Sequence, residues 1–206
     1  PDLAVSLSVD VLPEAREYER SSTVVVNAYV ARVLGQYLSR LEAGLRDMGI
    51  HAPLRVANSN GALAAVSTAR VKPVFFISSG RAAGVAGAAH LGRTMGRRNL
   101  IVFDMGGTTA SAALVHNGEL SRLQEYEFRD GISTPSRFIK AGGYLMRVPT
   151  VDVAEVGSGA GSIAHLDPGG LLKVGPVSAG ALPGPACYGA GGLEPTVTDA
   201  NLLLGY

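Results

Sequence analysis

The feature that most constrains the fold is a hairpin pattern between residues 99 and 118. An apolar run over residues 100–103 ends in Asp104 and is followed at once by Gly106 and Gly107. A second strand-like segment over 110–116 then leads to Asn117 and Gly118, a dipeptide typical of a two-residue hairpin turn. The pattern predicts strand, tight turn, strand and turn in direct succession, with a third strand over 119–128.

The first turn has the chemistry of an anion site. A carboxylate at the carboxyl end of a strand, such as Asp104, lies at the edge of its sheet. Gly106 and Gly107 let backbone N–H groups turn toward an anion, and Thr108 and Thr109 add hydroxyl donors. The turn is therefore predicted to hold a phosphate whose Mg²⁺ is bound by Asp104 or through water. The alternative is an ordinary tight turn that begins with Asp.

Two other phosphate motifs, the P-loop and the dinucleotide-binding fingerprint, are excluded here, since both lead from a strand into a helix. No Gly-Lys-Thr or Gly-Lys-Ser follows the turn, as a P-loop requires, and a strand rather than a helix comes next. The anion site would therefore be a hairpin.

The segments before the hairpin predict an α/β domain with a mixed sheet. A long amphipathic helix is predicted over 22–48, with Ser21 or Ser22 as its N-cap and Gly49 as its stop. At helical spacing, Tyr29 and Tyr37 are predicted to be core residues rather than ligand contacts. The remaining predicted elements are strands over 5–9, 54–57 and 74–77, the last one buried and parallel, and helices of small residues over 62–69 and 82–89.

The C-terminal half is rich in glycine and contains two further candidate site elements. The loop over 157–162 is either structural or cradles a nucleotide through Gly159, Gly161 and Ser162. Short strands are predicted over 163–166 and 171–174, and a helix over 200–204. Asp199 is either a second catalytic acid or, like Thr198, a candidate N-cap of that helix.

Composition narrows the function classes. The 206 residues carry a net charge of +1 without a basic stripe, which argues against a nucleic-acid partner. No apolar run is long enough for a membrane span. A single cysteine, Cys187, forms no intrachain disulfide and fits a cytoplasmic location.

Cys187 lacks a basic neighbour that would make it a nucleophile, and the four histidines lack metal-ligand spacing. The start at Pro1 without Met is interpreted as an internal boundary.

Several ordered segments resemble the hydantoinase A / 5-oxoprolinase family, which includes the acetone carboxylase β subunit. The most distinctive of them cover residues 174–181, 183–189 and 195–201. The others cover 13–20, 27–29, 59–61, 82–85, 103–108 and 161–164, so the resemblance extends over nearly the whole chain.

This resemblance implies part of an actin-like ATPase (ribonuclease H-like) fold. The implied cofactors are ATP and Mg²⁺, and the implied reaction is opening of a cyclic amide, or carboxylation of a ketone, through phosphorylation of a substrate oxygen. Enzymes of this fold use two phosphate hairpins, so remaining segments or a partner subunit would carry the second, within an oligomer. Residues 1–98 would lead into the ATPase lobe, and 99–206 would form the lobe with the phosphate hairpin.

Some positions depart from the family pattern. Ser111 stands where the family has a carboxylate, and Arg81 stands where it has proline. Arg81 is interpreted either as a phosphate contact or as a surface ion-pair partner. Restoring the carboxylate by Ser111→Asp is expected to tighten binding of the Mg²⁺-nucleotide.

The departures at Ser111 and Arg81 also favour a rival interpretation, a structural subunit with impaired catalysis. A small-molecule kinase on the same fold is the second rival.

Overall fold

A computed structural model describes residues 5–129, 132–135 and 143–206. The chain forms two compact units. The first consists of residues 1–102 and 113–153, and the second of residues 103–112 and 154–206. The chain therefore enters the second unit at the end of one hairpin strand and leaves it within the next. The predicted domain division after residue 98 stays a prediction.

The longest helix, α2, spans Glu17–Asp47 and ends where the sequence predicts. Gly49 adopts a φ of +76° there, and its amide donates to the carbonyl of Arg46. The start differs from the prediction, because the helix begins after Arg16 with no side-chain cap and includes Ser21 and Ser22. The other α-helices of the described residues are α1 (Ser8–Val11), α3 (Val66–Val71), α4 (Ser79–Thr94) and α5 (Val197–Leu204).

The strands form small sheets. Those before the hairpin are β1 (Arg55–Ala57) and β2 (Leu63–Ala65), and those around it are β3 (Leu100–Met105), β4 (Ala110–His116), β5 (Glu119–Leu120), β6 (Arg122–Leu123), β7 (Tyr126–Arg129) and β8 (Ile132–Pro135). The later strands are β9 (Tyr144–Met146), β10 (Thr150–Val151), β11 (Val153–Val156), β12 (Ser162–Leu166) and β13 (Leu172–Ser178). The largest sheet has the order β11-β4-β3, with β5 paired to β4.

The α/β class is confirmed, but the predicted buried parallel strand is wrong. Residues Pro73–Phe76 form a 3₁₀ helix, and Val74 is fully buried against Tyr126 and Met146. Proline at the first position suits a helical turn better than a central strand. The strand pairs with a defined register among the described residues are all antiparallel.

Two other predicted elements also have a different structure. The predicted strand over 5–9 gives way to α1, because the carbonyl of Leu7 accepts hydrogen bonds from the amides of Asp10 and Val11. This turn places Val11 in the core. The predicted helix over 62–69 begins as β2, which pairs with β1, and becomes helical only at Val66.

Helix α4 is longer than the predicted 82–89, and its small residues are buried on one side only. Ala82, Val85 and Ala89 are buried with Ala113, Val115 and Val151 in the first unit. A Cβ at Gly92 would lie 2.5 Å from the Leu100 side chain, so glycine is required there. At Gly84 and Gly87, by contrast, a Cβ would meet no atom within 4 Å.

The prediction that Tyr29 and Tyr37 are core residues is wrong. Tyr29 is 84% exposed and Tyr37 is 59% exposed. The side of α2 that packs inward is instead marked by Thr23, Asn27 and Leu38. The buried amide group of Asn27 has hydrogen-bond partners for both its nitrogen and its oxygen. The nitrogen donates to the Ser6 hydroxyl and the Val71 carbonyl, and the oxygen accepts from the Val74 amide.

The predicted hairpin is confirmed most closely. Strand β4 has the predicted bounds, and Asn117 and Gly118 both have positive φ, as a type I′ turn requires. The predicted third strand over 119–128 is divided into β5, β6 and the start of β7. No helix among the described residues has the length and apolar character needed to cross a membrane.

Candidate functional site

The predicted anion turn is an exposed loop in the second unit. Strand β3 carries Asp104 and ends at Met105, and the loop closes with a hydrogen bond of 2.9 Å from the Gly106 amide to the Thr109 carbonyl. The Asp104 carboxylate is exposed, and it forms no hydrogen bond or ion pair within residues 5–129, 132–135 and 143–206. Within the described residues, this charge is therefore left without a cationic partner.

The glycine loop, defined as residues 157–162, holds the turn through two consecutive carbonyls. The amide of Ala160 donates to the Gly106 carbonyl at 2.9 Å, and that of Gly161 donates to the Gly107 carbonyl at 2.7 Å. The Ser178 hydroxyl lies 3.4 Å from the same Gly107 carbonyl. The backbone of the turn is thus anchored on one side by another loop.

This anchoring fixes the direction of the turn's amides. A trans peptide is planar, with its C=O and the following N–H on opposite sides. Because the Gly106 and Gly107 carbonyls face the glycine loop, the amides of Gly107 and Thr108 point away from it. In the described part of the chain, the amides of Gly107, Thr108 and Thr109 donate to no protein acceptor. Consecutive outward amides of this kind form an anion-binding nest.

The two pairs of glycines serve different purposes. A Cβ at Gly107 would meet no atom within 4 Å, and one at Gly106 only the Thr109 carbonyl at 3.8 Å. At Gly159 a Cβ would lie 2.6 Å from both the Gly106 oxygen and the Thr108 nitrogen, and at Gly161 it would lie 2.9 Å from the Gly107 oxygen. The fold therefore requires glycine in the glycine loop, whereas the glycines of the turn border open space.

The glycine loop uses its own amides within the protein. Gly159 donates to the Ser162 hydroxyl at 2.8 Å, and Ser162 donates to the Gly159 carbonyl at 3.0 Å. Together with the bonds from Ala160 and Gly161, these account for four consecutive amides. The role supported by these contacts is to hold the turn. Direct binding of a nucleotide by Gly159, Gly161 and Ser162 stays a prediction.

Asp199 lies at the third position of α5, whose N-cap is Thr196 and not Thr198 or Asp199. Thr196 and Asp199 form a capping box. The Asp199 carboxylate accepts from the Thr196 amide and from the Thr196 hydroxyl, at 2.7 Å each. Its other oxygen accepts from the Cys187 amide at 2.7 Å. The Cys187 thiol and the Thr196 hydroxyl hold the pKa of Asp199 well below its usual range. A catalytic role for Asp199 stays a prediction.

The contact between Cys187 and Asp199 shifts the two pKa values in opposite directions. Its thiol donates to the Asp199 carboxylate, which raises the pKa of Cys187 above the ordinary value for a thiol. A protonated thiol is a poor nucleophile, which agrees with the prediction from its flanking residues. No cluster of three or more His, Cys, Asp or Glu side chains that would hold a metal occurs among the described residues.

Ser111 is buried at the base of the hairpin, with 8% of its surface exposed. Its hydroxyl donates to the Asp104 carbonyl at 3.3 Å, so the side chain faces backbone and not solvent. Arg81, in the first unit, lies near Ser78, with 3.5 Å between its guanidinium and the Ser78 hydroxyl. Both interpretations of Arg81, as a phosphate contact or as an ion-pair partner, stay predictions.

The burial of Ser111 predicts a loss of stability in Ser111→Asp, whereas tighter binding of the Mg²⁺-nucleotide stays a prediction. A carboxylate would be buried against the Asp104 carbonyl oxygen, so we expect the free energy of unfolding to fall by roughly 1–3 kcal/mol. Ser111→Ala, which removes only the hydroxyl, should cost about 0.5–1.5 kcal/mol. Chemical denaturation of both variants measures the difference. Tighter binding of MgATP by Ser111→Asp at unchanged stability would contradict this reasoning.

Sequence reasoning missed Ala160 and Ser178 as contacts of the turn. The two glycines that flank Ala160 are a partial signal, because they allow another backbone to approach closely. Ser178 lies at the end of β13, and its neighbours in sequence give no sign of this contact.

Comparison with known proteins places the chain in a family. The family model described as hydantoinase/oxoprolinase matches residues 20–206. The chain is 44% identical, over its whole length, to caprolactamase subunit alpha of Pseudomonas jessenii, and covers 28% of that protein. It is 34% identical to 5-oxoprolinase of Saccharomyces cerevisiae over 98% of the chain, covering 14% of that protein. The chain therefore spans less than a third of either relative.

Solved structures agree with the sequence matches. Nucleotide-free acetone carboxylase superposes with a TM-score of 0.77 at 30% identity, over 97% of this chain and 26% of that one. The ATP-dependent caprolactamase from Pseudomonas jessenii gives a TM-score of 0.72 at 43% identity, over 97% of this chain and 27% of that one. The chain belongs to the hydantoinase/oxoprolinase family, as its ordered sequence segments indicate.

Proposed function

We propose that this chain is the phosphate-binding part of an ATP-dependent enzyme that opens a cyclic amide, such as a hydantoin or 5-oxoproline, or carboxylates a ketone. The observation that carries the proposal is the turn at residues 104–109. It offers the outward amides of Gly107 and Thr108 together with the carboxylate of Asp104, which has no partner among the described residues.

The turn fits ATP and Mg²⁺ by the chemistry of its groups. Backbone amides and the hydroxyls of Thr108 and Thr109 are donors suited to phosphate oxygens. Mg²⁺ is usually held by one or two carboxylates together with phosphates and water, so a single Asp104 is an appropriate protein ligand. When bound, ATP supplies a phosphoryl group that converts an oxygen of the substrate into a better leaving group.

The chain's own residues contribute mainly by positioning charge. The glycine loop fixes the turn, the turn presents its amides to the phosphates, and Asp104 provides the negative charge that retains the cation. Phosphoryl transfer depends largely on this kind of positioning and charge neutralisation. We assign no residue of this chain to the organic substrate.

The relatives support the reaction class. Two solved relatives are named for ATP-dependent caprolactamase and for ATP-dependent acetone carboxylation, and further relatives are named 5-oxoprolinase. We extend to this chain an actin-like ATPase fold with a second phosphate hairpin in a partner segment or subunit, as the strand-turn-strand-turn-strand order supports. A cytoplasmic location and an oligomeric enzyme are part of the same proposal.

An enzymatically impaired structural subunit is the second candidate, favoured by Ser111 at the position of a family carboxylate. The burial of Ser111 weakens this interpretation, since its side chain faces backbone rather than the exposed side of the turn. A small-molecule kinase finds no support among the relatives' names. Turnover of ATP by the full-length enzyme with a cyclic amide or ketone separates the three.

The proposal is tested by Gly107→Ala in the full-length protein. The added methyl occupies the space where phosphate would approach the amides, and we expect MgATP to bind about 10- to 100-fold more weakly, as for the loss of one charge-assisted hydrogen bond. Calorimetric titration with MgATP measures this. The thermal midpoint should not change, since a Cβ there touches nothing. Unchanged affinity would remove the turn from the binding site.

A further inference from the structure

Thr198, in the first turn of α5, holds the glycine loop at one carbonyl. Its amide and its hydroxyl both donate to the Ala160 carbonyl, at 2.8 Å each. The hydroxyl bond is not needed for helix capping, which Thr196 and Asp199 provide between themselves. The side chain of Thr198 is thus committed to the loop.

The Ala160 carbonyl and the Gly161 amide belong to one peptide group. Thr198 fixes the carbonyl edge of this planar group, and its opposite edge donates to the Gly107 carbonyl at 2.7 Å. Hydrogen bonds in such a series polarise and strengthen one another. The orientation of this peptide group therefore decides how firmly the Gly107 carbonyl is held, and with it the direction of the Thr108 amide.

The support behind Thr198 is itself rigid. The capping box of α5 closes its first turn, and the Asp199 carboxylate also accepts from the Cys187 amide in a second 3₁₀ helix, Ala186–Tyr188. Thr198 therefore does not lie on a fraying end of a helix. Its contacts with Ala160, and those of the glycine loop with the turn, all lie within the second unit.

We propose that Thr198 is a positioning residue for ATP, acting through the Ala160–Gly161 peptide group to aim the Thr108 amide at a phosphate. The proposal rests on the function proposed for the turn. It assigns no contact between Thr198 and the nucleotide, and it extends the site from the turn and the glycine loop to the first turn of α5.

The test is Thr198→Val in the full-length protein, with Thr198→Ser as the conservative variant. Valine keeps the branched shape and the amide bond to Ala160 but removes the hydroxyl. We expect the MgATP dissociation constant to rise about 3- to 10-fold in the valine variant, and the serine variant to stay within about twofold of the parent. Amides of residues 157–162 should exchange hydrogen faster in the valine variant only.

Thr196→Val is the matched control on the same helix. It removes only the capping hydroxyl, while the Asp199 carboxylate still accepts from the backbone amides of Thr196 and Cys187, so the first turn of α5 keeps its support. The variant should therefore lower the thermal midpoint and leave MgATP affinity near that of the parent. Equal weakening by Thr196→Val and Thr198→Val would overturn the positioning role, because it would trace the effect to helix stability. Unchanged affinity in Thr198→Val would also overturn it.

Gly107→Ala separates this inference from the proposed function. If Gly107→Ala weakens MgATP binding and Thr198→Val does not, only the inference fails. If the parent does not bind MgATP, or Gly107→Ala has no effect, the proposed function fails and the inference with it.

Discussion

Asp104→Asn is expected to lower the ATP-dependent turnover of the full-length enzyme by about 10²–10³-fold, or roughly 3–4 kcal/mol in the activation free energy. Asparagine keeps the size of the side chain and removes its charge. Stability should change little, because the carboxylate is exposed and has no partner among the described residues. Initial rates of phosphate release, measured beside the thermal midpoint, provide the comparison.

Asp167→Asn is the matched control for this substitution. Asp167 lies in a turn of the same unit, where one carboxylate oxygen accepts from the amides of Gly169 and Leu171 at 2.9 Å each. An amide oxygen can accept the same bonds, so turnover should remain within a few-fold of the parent. A similar small effect at Asp104 would reduce that residue to a turn former and would leave the metal without its proposed ligand.

Gly159→Ala is expected to disrupt both stability and binding. Its Cβ would lie 2.6 Å from two backbone atoms of the turn, and backbone cannot rotate aside as a side chain can. Overpacking of this kind costs roughly 1–3 kcal/mol. Relief requires the turn to separate from the glycine loop, which releases the Gly106 and Gly107 carbonyls. We therefore expect a lower thermal midpoint together with loss of measurable MgATP binding.

The contrast with Gly107→Ala makes this result specific. Both substitutions add one methyl group, yet only the one at Gly159 meets protein atoms. The variant at Gly107 should therefore be stable and weak in binding, whereas the variant at Gly159 should lose both properties. A Gly159→Ala protein with parental stability and affinity would show that the glycine loop does not hold the turn.

The hairpin was predictable because its signals are local. An apolar run, two glycines and the Asn117–Gly118 pair each act on adjacent residues, and the bounds of β4 agree with those predicted. The stop of α2 at Gly49 is local in the same sense. The family segments also gave the family itself, since nine short motifs in order are a stronger signal than any one of them.

The remaining features depend on contacts distant in sequence. The apolar run at Val74 resembles a strand in sequence. In the structure the Val74 amide donates to the side chain of Asn27, which is distant in sequence on α2. Tyr29 has helical spacing but lies on the side of α2 that the described residues leave exposed. The glycine loop resembles a ligand-binding loop in sequence because the sequence does not show that the Ala160 and Gly161 amides donate to the turn and those of Gly159 and Ser162 donate within the loop.

The discontinuity of the second unit bears on how the enzyme is made. Within this unit, residues 103–112 are synthesised before residues 113–153 of the other unit, and Ala160 and Gly161 follow only after them. A nascent chain that stops before Ala160 is expected to pair β3 with β4 and to bind no MgATP, which stalled ribosome complexes can measure with a fluorescent nucleotide. Nucleotide could then bind the growing polypeptide only after the ribosome has passed the glycine loop, so binding would report on the progress of translation.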